Sequence, residues 1–317
     1  MGALALYRVG NLYIDRRDDF TKSKRIILKK IKGDDMTKIT LVDSVVSVQW
    51  LAENRSAENL ILFDASMKPI FSVANAAPET PAYIPGSLRF DFDDVLRDHR
   101  TSLPHMMPSP EFFTDEMQKL GVNSDSAIVA YDKVGIYSSP WARWMFLVMG
   151  HTQVAVLDGG LPGWIQAGYE TVPTLVTPKG RGNFVSHYQS ELIVDSNDVL
   201  QALTDPAYNV IDARSAGRFK GQDPEPRAGL RGGHMPGAVN VPYTSVLENG
   251  KLLSKSKLRS ILAPYQDKKL IFSCGSGVTA SLVALAAEQA GLKDLAVYDG
   301  SWSEWGREDS GLPVVKG

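Results

Sequence analysis

One cysteine, Cys274, stands among 317 residues. That scarcity excludes an intrachain disulfide framework and any multi-cysteine metal centre, and it fits a reducing compartment. The five histidines, His99, His105, His151, His187 and His234, lack metal-ligand spacing, so no metal or other cofactor is expected. An excess of one charge is also missing. The 34 basic and 36 acidic side chains leave a net charge of -2, which gives no global field for nucleic acid or an anionic membrane surface. No run reaches the ~18 apolar residues of a membrane span. The start does not read as a leader either: Ala3-Leu4-Ala5-Leu6 is too short for an apolar signal core, and Arg16-Arg17 lacks the apolar stretch of a twin-arginine signal. The expectation is a cytoplasmic globular protein that recognises any anion locally.

What is present divides the chain. Residues 1–35 carry nine basic against five acidic side chains with no clear period, and Met36 opens a run that reads like an ordinary protein start. They are expected to be an extension outside the fold. From Met36 on, short apolar strands alternate with amphipathic helices. Strands are predicted at Leu60–Ala65, Leu88–Asp93, Ala127–Asp132 and Gln153–Leu157, and helices at Ser44–Asn54, Pro110–Leu120, Trp141–Gly150 and Leu161–Ala167. The pattern then recurs. Asp212 repeats Asp64 after 148 residues, Pro236 repeats Pro85 after 151, and Asp299 repeats Asp158 after 141. This predicts a duplicated α/β fold, each copy a parallel sheet flanked by helices on both faces, with functional groups at the carboxyl ends of the strands. Residues 36–171 form the first domain and 191–317 the second. Residues 172–190, rich in Pro, Gly, Thr and Ser, link them.

Cys274 sits where chemistry is expected. Lys269–Phe272 reads as a buried strand and Thr279–Ala290 as a helix closing at Gly291, with Cys274-Gly275-Ser276-Gly277-Val278 between them. Glycines let loop N–H groups face inward as an anion nest, and the helix start adds positive dipole; both favour thiolate over thiol. The alternative is a buried structural thiol. In the first copy Asp132 takes the same place, and aspartate cannot do thiolate chemistry. The catalytic copy is therefore the second.

Several separated segments carry a resemblance: Cys274 to Ala280 (CGSGVTA), Asp212 to Phe219 (DARSAGRF), Glu225-Pro226-Arg227, Gly233 to Ala238 (GHMPGA) and Tyr298 to Trp305 (YDGSWSEW), with Phe90 to Asp93 and Leu103 to Met106 in the first half. Over about residues 38–310 the chain resembles the two-domain rhodanese superfamily, in its 3-mercaptopyruvate sulfurtransferase branch. It departs from that pattern at Tyr83, where family members often have histidine, and residues 1–35 have no family counterpart. Thiosulfate-preferring members carry basic side chains in the two positions after the cysteine; here these are Gly275 and Ser276.

The resemblance implies two tandem rhodanese-like domains and an enzyme that moves sulfur from 3-mercaptopyruvate through a Cys274 persulfide, releasing pyruvate. The acceptor would be cyanide or a thiol, whether a small thiol or thioredoxin. Gly275, Gly277, Val278 and Thr279 would line the anion loop, and Arg218 and Arg227 would clamp the substrate carboxylate, for which a planar guanidinium fork is suited. Ser276, His105 and Asp93 would form a proton relay across the domain interface. Each residue has a plainer reading. Arg218 and Arg227 could pair with Asp212, Asp223 or Glu225, Ser276 could merely allow a tight loop, and His105 and Asp93 could be ordinary loop and strand residues. Arg214, Arg231 and His234 are expected to be structural. Other functions weighed are a thiosulfate sulfurtransferase, a non-enzymatic sulfur carrier, which would need no carboxylate clamp, and a cysteine phosphatase, which would need an arginine closing the loop where Val278-Thr279-Ala280 has none.

Overall fold

The computed structural model describes residues 38–68 and 81–317, and also an antiparallel strand pair, β1 (Tyr7–Val9) and β2 (Leu12–Ile14). Met1–Met36 forms one compact unit and Thr37–Gly317 another. Apart from that strand pair, residues 1–35 lie outside the described residues, and with them the expectation of an extension outside the fold. No helix among the described residues is long and apolar enough to cross a membrane.

The first half runs β3 (Val45–Val46), α1 (Val48–Asn54), β4 (Leu60–Asp64), β5 (Leu88–Arg89), α2 (Pro110–Lys119), β6 (Ala127–Tyr131), α3 (Ser139–Val148), β7 (Val154–Leu157) and α4 (Gly160–Gln166). Its five strands are parallel in the order β3-β7-β6-β4-β5. In the second half come β8 (Ile193–Val194), α5 (Ser196–Ala202), β9 (Tyr208–Asp212), α6 (Ala216–Phe219) and β10 (Val239–Asn240). A small antiparallel pair follows, β11 (Leu247–Glu248) with β12 (Lys251–Leu252), then α7 (Lys255–Leu262), β13 (Lys269–Ser273), α8 (Val278–Ala290), β14 (Leu295–Tyr298) and α9 (Ser301–Trp305). Its main sheet is parallel in the order β8-β14-β13-β9-β10, the same order as the first. The duplicated α/β architecture is as expected.

Strand periodicity decides which side chains meet. Along β6, Ile128 and Ala130 face one core while Ala127, Val129 and Tyr131 face another, and along β13 Leu270 and Phe272 face opposite to Ile271. Cys274 continues the Leu270–Phe272 side. That side belongs to a core that runs without a break through both halves, with α3 packed on α8 at its centre. This explains why α8 is apolar all round and lacks an amphipathic stripe: a helix covered by a sheet on one side and by α3 on the other has no solvent face. Arg143 of α3 crosses the same junction to Glu288 of α8 through two bonds of 2.8 and 2.9 Å.

Two local expectations are corrected. Residues 44–54 are not one helix. The β-branched Val45 and Val46 pair with β7, and the helix starts only after Ser47, whose hydroxyl accepts from Trp50 N at 3.0 Å. Residues 88–93 are a strand for only two residues, Leu88–Arg89. The alternation is real, since Phe90 and Phe92 are fully buried, but the chain leaves the sheet and thereby carries Asp93 towards the second half.

Candidate active site

The two sheets place two loops in equivalent positions. Asp64 pairs with Tyr131 in the first sheet and Asp212 with Ser273 in the second, so the next residues, Asp132 and Cys274, are counterparts. In the first loop the Asp132 carboxylate fills the start of α3. Its Oδ2 accepts from the backbone N–H of Tyr137, Ser138 and Ser139 at 2.9, 2.9 and 3.0 Å and from the Ser139 hydroxyl at 2.8 Å, and Oδ1 accepts from Val134 N at 3.1 Å. Burial pushes this carboxyl upward in pKa, and those N–H donors oppose it. A strand end running into a helix start is therefore an anion cradle in this protein, and in the first half it is permanently occupied.

In the second half the cradle holds Cys274, which is 2% exposed. Its loop is held from below by α9. The Ser301 hydroxyl accepts from Cys274 N at 3.3 Å and Gly277 N at 3.0 Å, Trp302 N donates to Cys274 O at 3.0 Å, and Ser303 donates to Gly275 O from both its backbone N–H and its hydroxyl. The expectation that the loop's N–H groups face inward thus holds only in part. Those of Cys274 and Gly277 are turned to Ser301, while those of Gly275, Ser276 and Val278 meet no acceptor among the described residues. Gly277 adopts φ +82°, and a Cβ there would stand 3.3 Å from the Trp141 ring, so only glycine fits without strain. Val278 and Thr279 are buried in the first turn of α8.

The proposed relay residues meet across the interface. His105 Nδ1 lies 2.9 Å from Ser276 Oγ, and its Nε2 lies 3.0 Å from Asp93 Oδ1. Asp93 can only accept there, which puts the proton of a neutral imidazole on Nε2 and leaves Nδ1 to accept the serine hydroxyl. The His105 backbone is left-handed at φ +61°, and so is Ser301 at +47°. Two non-glycine residues in this region mark a site whose geometry the surroundings enforce. The His105 loop is tied to the second half by Met107 N, which donates to both carboxylate oxygens of Asp299 at 3.1 and 3.0 Å.

Burial, then the charges of Glu304 and Asp98, push the Asp299 carboxyl up to about 7 against that bond. The folded value lies above the usual ~3.9, so the contribution to stability is complete below ~3.9 and is lost as pH rises through about 7. Asp299→Asn, neutral throughout, is expected to gain on the wild type by on the order of 2–4 kcal/mol between pH 4 and 8, read from urea midpoints; parallel curves would contradict this.

Arg218 and Arg227 both reach the loop. A Cβ on Gly275 would stand 3.4 Å from Arg218 Nη2 and 3.6 Å from Arg227 Nη1. Their states differ. Arg218 is already paired, with Nη2 2.5 Å and Nε 3.2 Å from Glu225 Oε2, so the plainer reading of this residue is also true. Arg227 has no hydrogen-bonded or ionic partner among the described residues. Burial and the like charge of Arg218 lower its pKa, and Cys274 opposes them. An open cavity of about 500 Å³ lined by Ser102, Pro104, Arg227, Ser303 and Arg307 leads to it.

Arg214, Arg231 and His234 are structural, as expected. Arg214 is buried against Asp212 and Glu225, Arg231 donates to the carbonyls of Trp305 and Leu312, and His234 bonds Phe219 O. Sequence reasoning missed three residues. Ser301 and Ser303 lay inside the Tyr298 to Trp305 segment but were given no role of their own there. Tyr137 arrives from the first half, with its ring 5.5 Å from that of Tyr243, and burial with Tyr243 and Cys274 nearby pushes its hydroxyl up to about 12. No sequence signal marks it beyond its place in the Asp132 loop.

With this geometry in view, comparison with known proteins is informative. A rhodanese-like domain model matches residues 47–167 and 195–308. The 3-mercaptopyruvate sulfurtransferase of Escherichia coli (strain K12) is 39% identical over 280 residues, spanning 85% of this chain and 96% of that protein. A thiosulfate sulfurtransferase of Rattus norvegicus is 37% identical over 286 residues, spanning 86% and 95%. The crystal structure of SseA from Escherichia coli, a 3-mercaptopyruvate sulfotransferase, superimposes with a TM-score of 0.73 at 37% identity, covering 83% of this chain and all of that one. Overall identity thus barely separates relatives of the two names.

Proposed function

Because the chain belongs to the rhodanese family and its relatives transfer sulfur, we propose that it is a 3-mercaptopyruvate sulfurtransferase working through a persulfide on Cys274. The observation that carries this reading is the loop after the cysteine: Gly275 brings no cation, and Ser276 hands its hydroxyl to His105 at 2.9 Å.

The Cys274 thiolate attacks the thiol sulfur of mercaptopyruvate. A sulfur–sulfur bond forms, the carbon–sulfur bond breaks, and the electron pair passes to the enolate of pyruvate. The donor's thiol proton passes through the Ser276 hydroxyl to Nδ1 of His105, with Asp93 holding the ring, and returns by the same route to the enolate, which leaves as pyruvate. The outer sulfur, as an anion, lies among the N–H groups of Gly275, Ser276 and Val278, which meet no acceptor among the described residues. An acceptor thiolate then attacks it, the sulfur–sulfur bond breaks, and Cys274 leaves as thiolate; cyanide would carry the sulfur away as thiocyanate. Arg227, a cation with no ionic partner among the described residues, binds the donor carboxylate, and Arg218 adds its Nη1 edge. Such chemistry suits the reducing cytoplasm, where a lone reactive thiol is not consumed by disulfide exchange with oxidants.

The test compares kcat/KM for mercaptopyruvate and thiosulfate, each with cyanide and with a reduced dithiol protein as acceptor. Mercaptopyruvate is expected to be the better donor by at least about a hundredfold, the size of two to three kcal/mol of differential transition-state binding. A preference for thiosulfate would replace this reading with the other sulfurtransferase activity found among the relatives.

A further inference from the structure

Glu225 is almost wholly buried, its side chain 1% exposed, and in place of water it has two guanidinium groups. Arg214 Nη1 lies 2.8 Å from Oε1, and Arg218 Nη2 lies 2.5 Å from Oε2. Arg214 is itself held by several partners. It is fully buried, grips Asp212 through Nε and Nη2, donates to Gly233 O at 2.8 Å and lies over the Trp302 ring at 3.9 Å. The chain Asp212–Arg214–Glu225–Arg218 therefore holds two positive and two negative charges and sums to zero. Arg227 stands outside it, equally close to Gly275 and without an ionic partner among the described residues.

We infer that Glu225 is a positioning residue that fixes which edge of Arg218 faces the Cys274 loop and cancels its charge, leaving Arg227 as the net cation that an anionic donor meets. The inference rests on the proposed function only for the donor's name. Bound along Nε and Nη2, Arg218 keeps Nη1 and the outer N–H of Nη2 for a ligand, so it orients more than it attracts. Were Glu225 neutral, the cleft would gain one positive charge, and a dianion would profit about twice as much as a monoanion.

The charge above the thiol can be read without turnover, because Cys274 is the chain's single cysteine. Alkylation rates with iodoacetate and iodoacetamide are measured on the full chain, and their ratio reports the field because the same thiol attacks both. Glu225→Gln is expected to raise the ratio about tenfold at low ionic strength and less as salt screens it. Glu225→Asp keeps the charge and shortens the bridge, so the ratio should stay within about twofold while kcat for the donor falls. Arg227→Gln should lower the ratio about tenfold, and Arg218→Gln with Glu225→Gln, which removes one charge of each sign, should restore it close to the wild type. In turnover, Glu225→Gln should also shift relative kcat/KM from mercaptopyruvate towards the dianion thiosulfate.

An unchanged alkylation ratio in folded Glu225→Gln protein would overturn the inference. If that variant does not fold, an unchanged ratio in Arg227→Gln would do the same. A wild type that turns over neither donor would instead refute the proposed function and leave the alkylation ratios to decide on Glu225.

Discussion

Cys274→Ser is expected to end sulfur transfer, lowering kcat with mercaptopyruvate by at least about 10⁴-fold while leaving the fold intact. The thiol is 2% exposed and its loop is held by backbone bonds from Ser301, Trp302 and Ser303, none of which uses the sulfur. A serine oxygen occupies less volume in the same rotamer, so the thermal midpoint should move little. What disappears is the chemistry. A hydroxyl is not ionised near neutral pH, and oxygen does not form the sulfur–sulfur bond on which the second half of the cycle depends. Retained turnover in a folded Cys274→Ser protein would remove covalent catalysis from the mechanism.

The second large effect concerns the relay. His105→Ala should lower kcat for mercaptopyruvate by about 10²- to 10³-fold with a smaller change in KM, the usual size of a lost proton-transfer group. The reason is geometric: the ring spans from Asp93 in the first half to Ser276 in the second, at 3.0 and 2.9 Å, and no other described side chain bridges that gap. Asp93→Asn should also slow turnover. An amide N–H facing Nε2 would place the ring proton on Nδ1, where it can no longer accept the serine hydroxyl. His105→Ala with unchanged turnover would take histidine out of the reaction and reduce its contact with Ser276 to interface packing.

Much of the fold was legible because it rests on local signals. Apolar runs of strand length, helix formers closed by glycine, and a repeat spaced by about 150 residues predict two parallel α/β sheets, and the pairing of Asp64 with Tyr131 and Asp212 with Ser273 places Asp132 opposite Cys274. The errors arose where a local pattern has two solutions. Alternation at Leu88 to Asp93 keeps Phe90 and Phe92 buried after the strand has ended, and Val45-Val46 could join a helical pattern until β7 offered a partner.

Within the site, single residues at motif positions were readable and their partners were not. Nothing in the sequence tells that the Ser301 hydroxyl takes two N–H groups of the cysteine loop, or which of the three acids named as possible partners of Arg218 holds it there. Both depend on segments far apart in sequence folding onto the same strand ends. Tyr137 is the extreme case, since its relevance exists only once the first half's loop, shaped by its own buried aspartate, lies against the second half.

The central claim is that sulfur rests on Cys274 between two half-reactions. Intact-mass spectrometry of the folded protein after brief exposure to mercaptopyruvate, with no acceptor present, tests it most directly. The expected result is a gain of one sulfur atom per chain, mapped to the peptide containing Cys274 and removed on adding cyanide or a reduced dithiol. A folded protein that releases pyruvate while its mass stays unchanged would contradict the account.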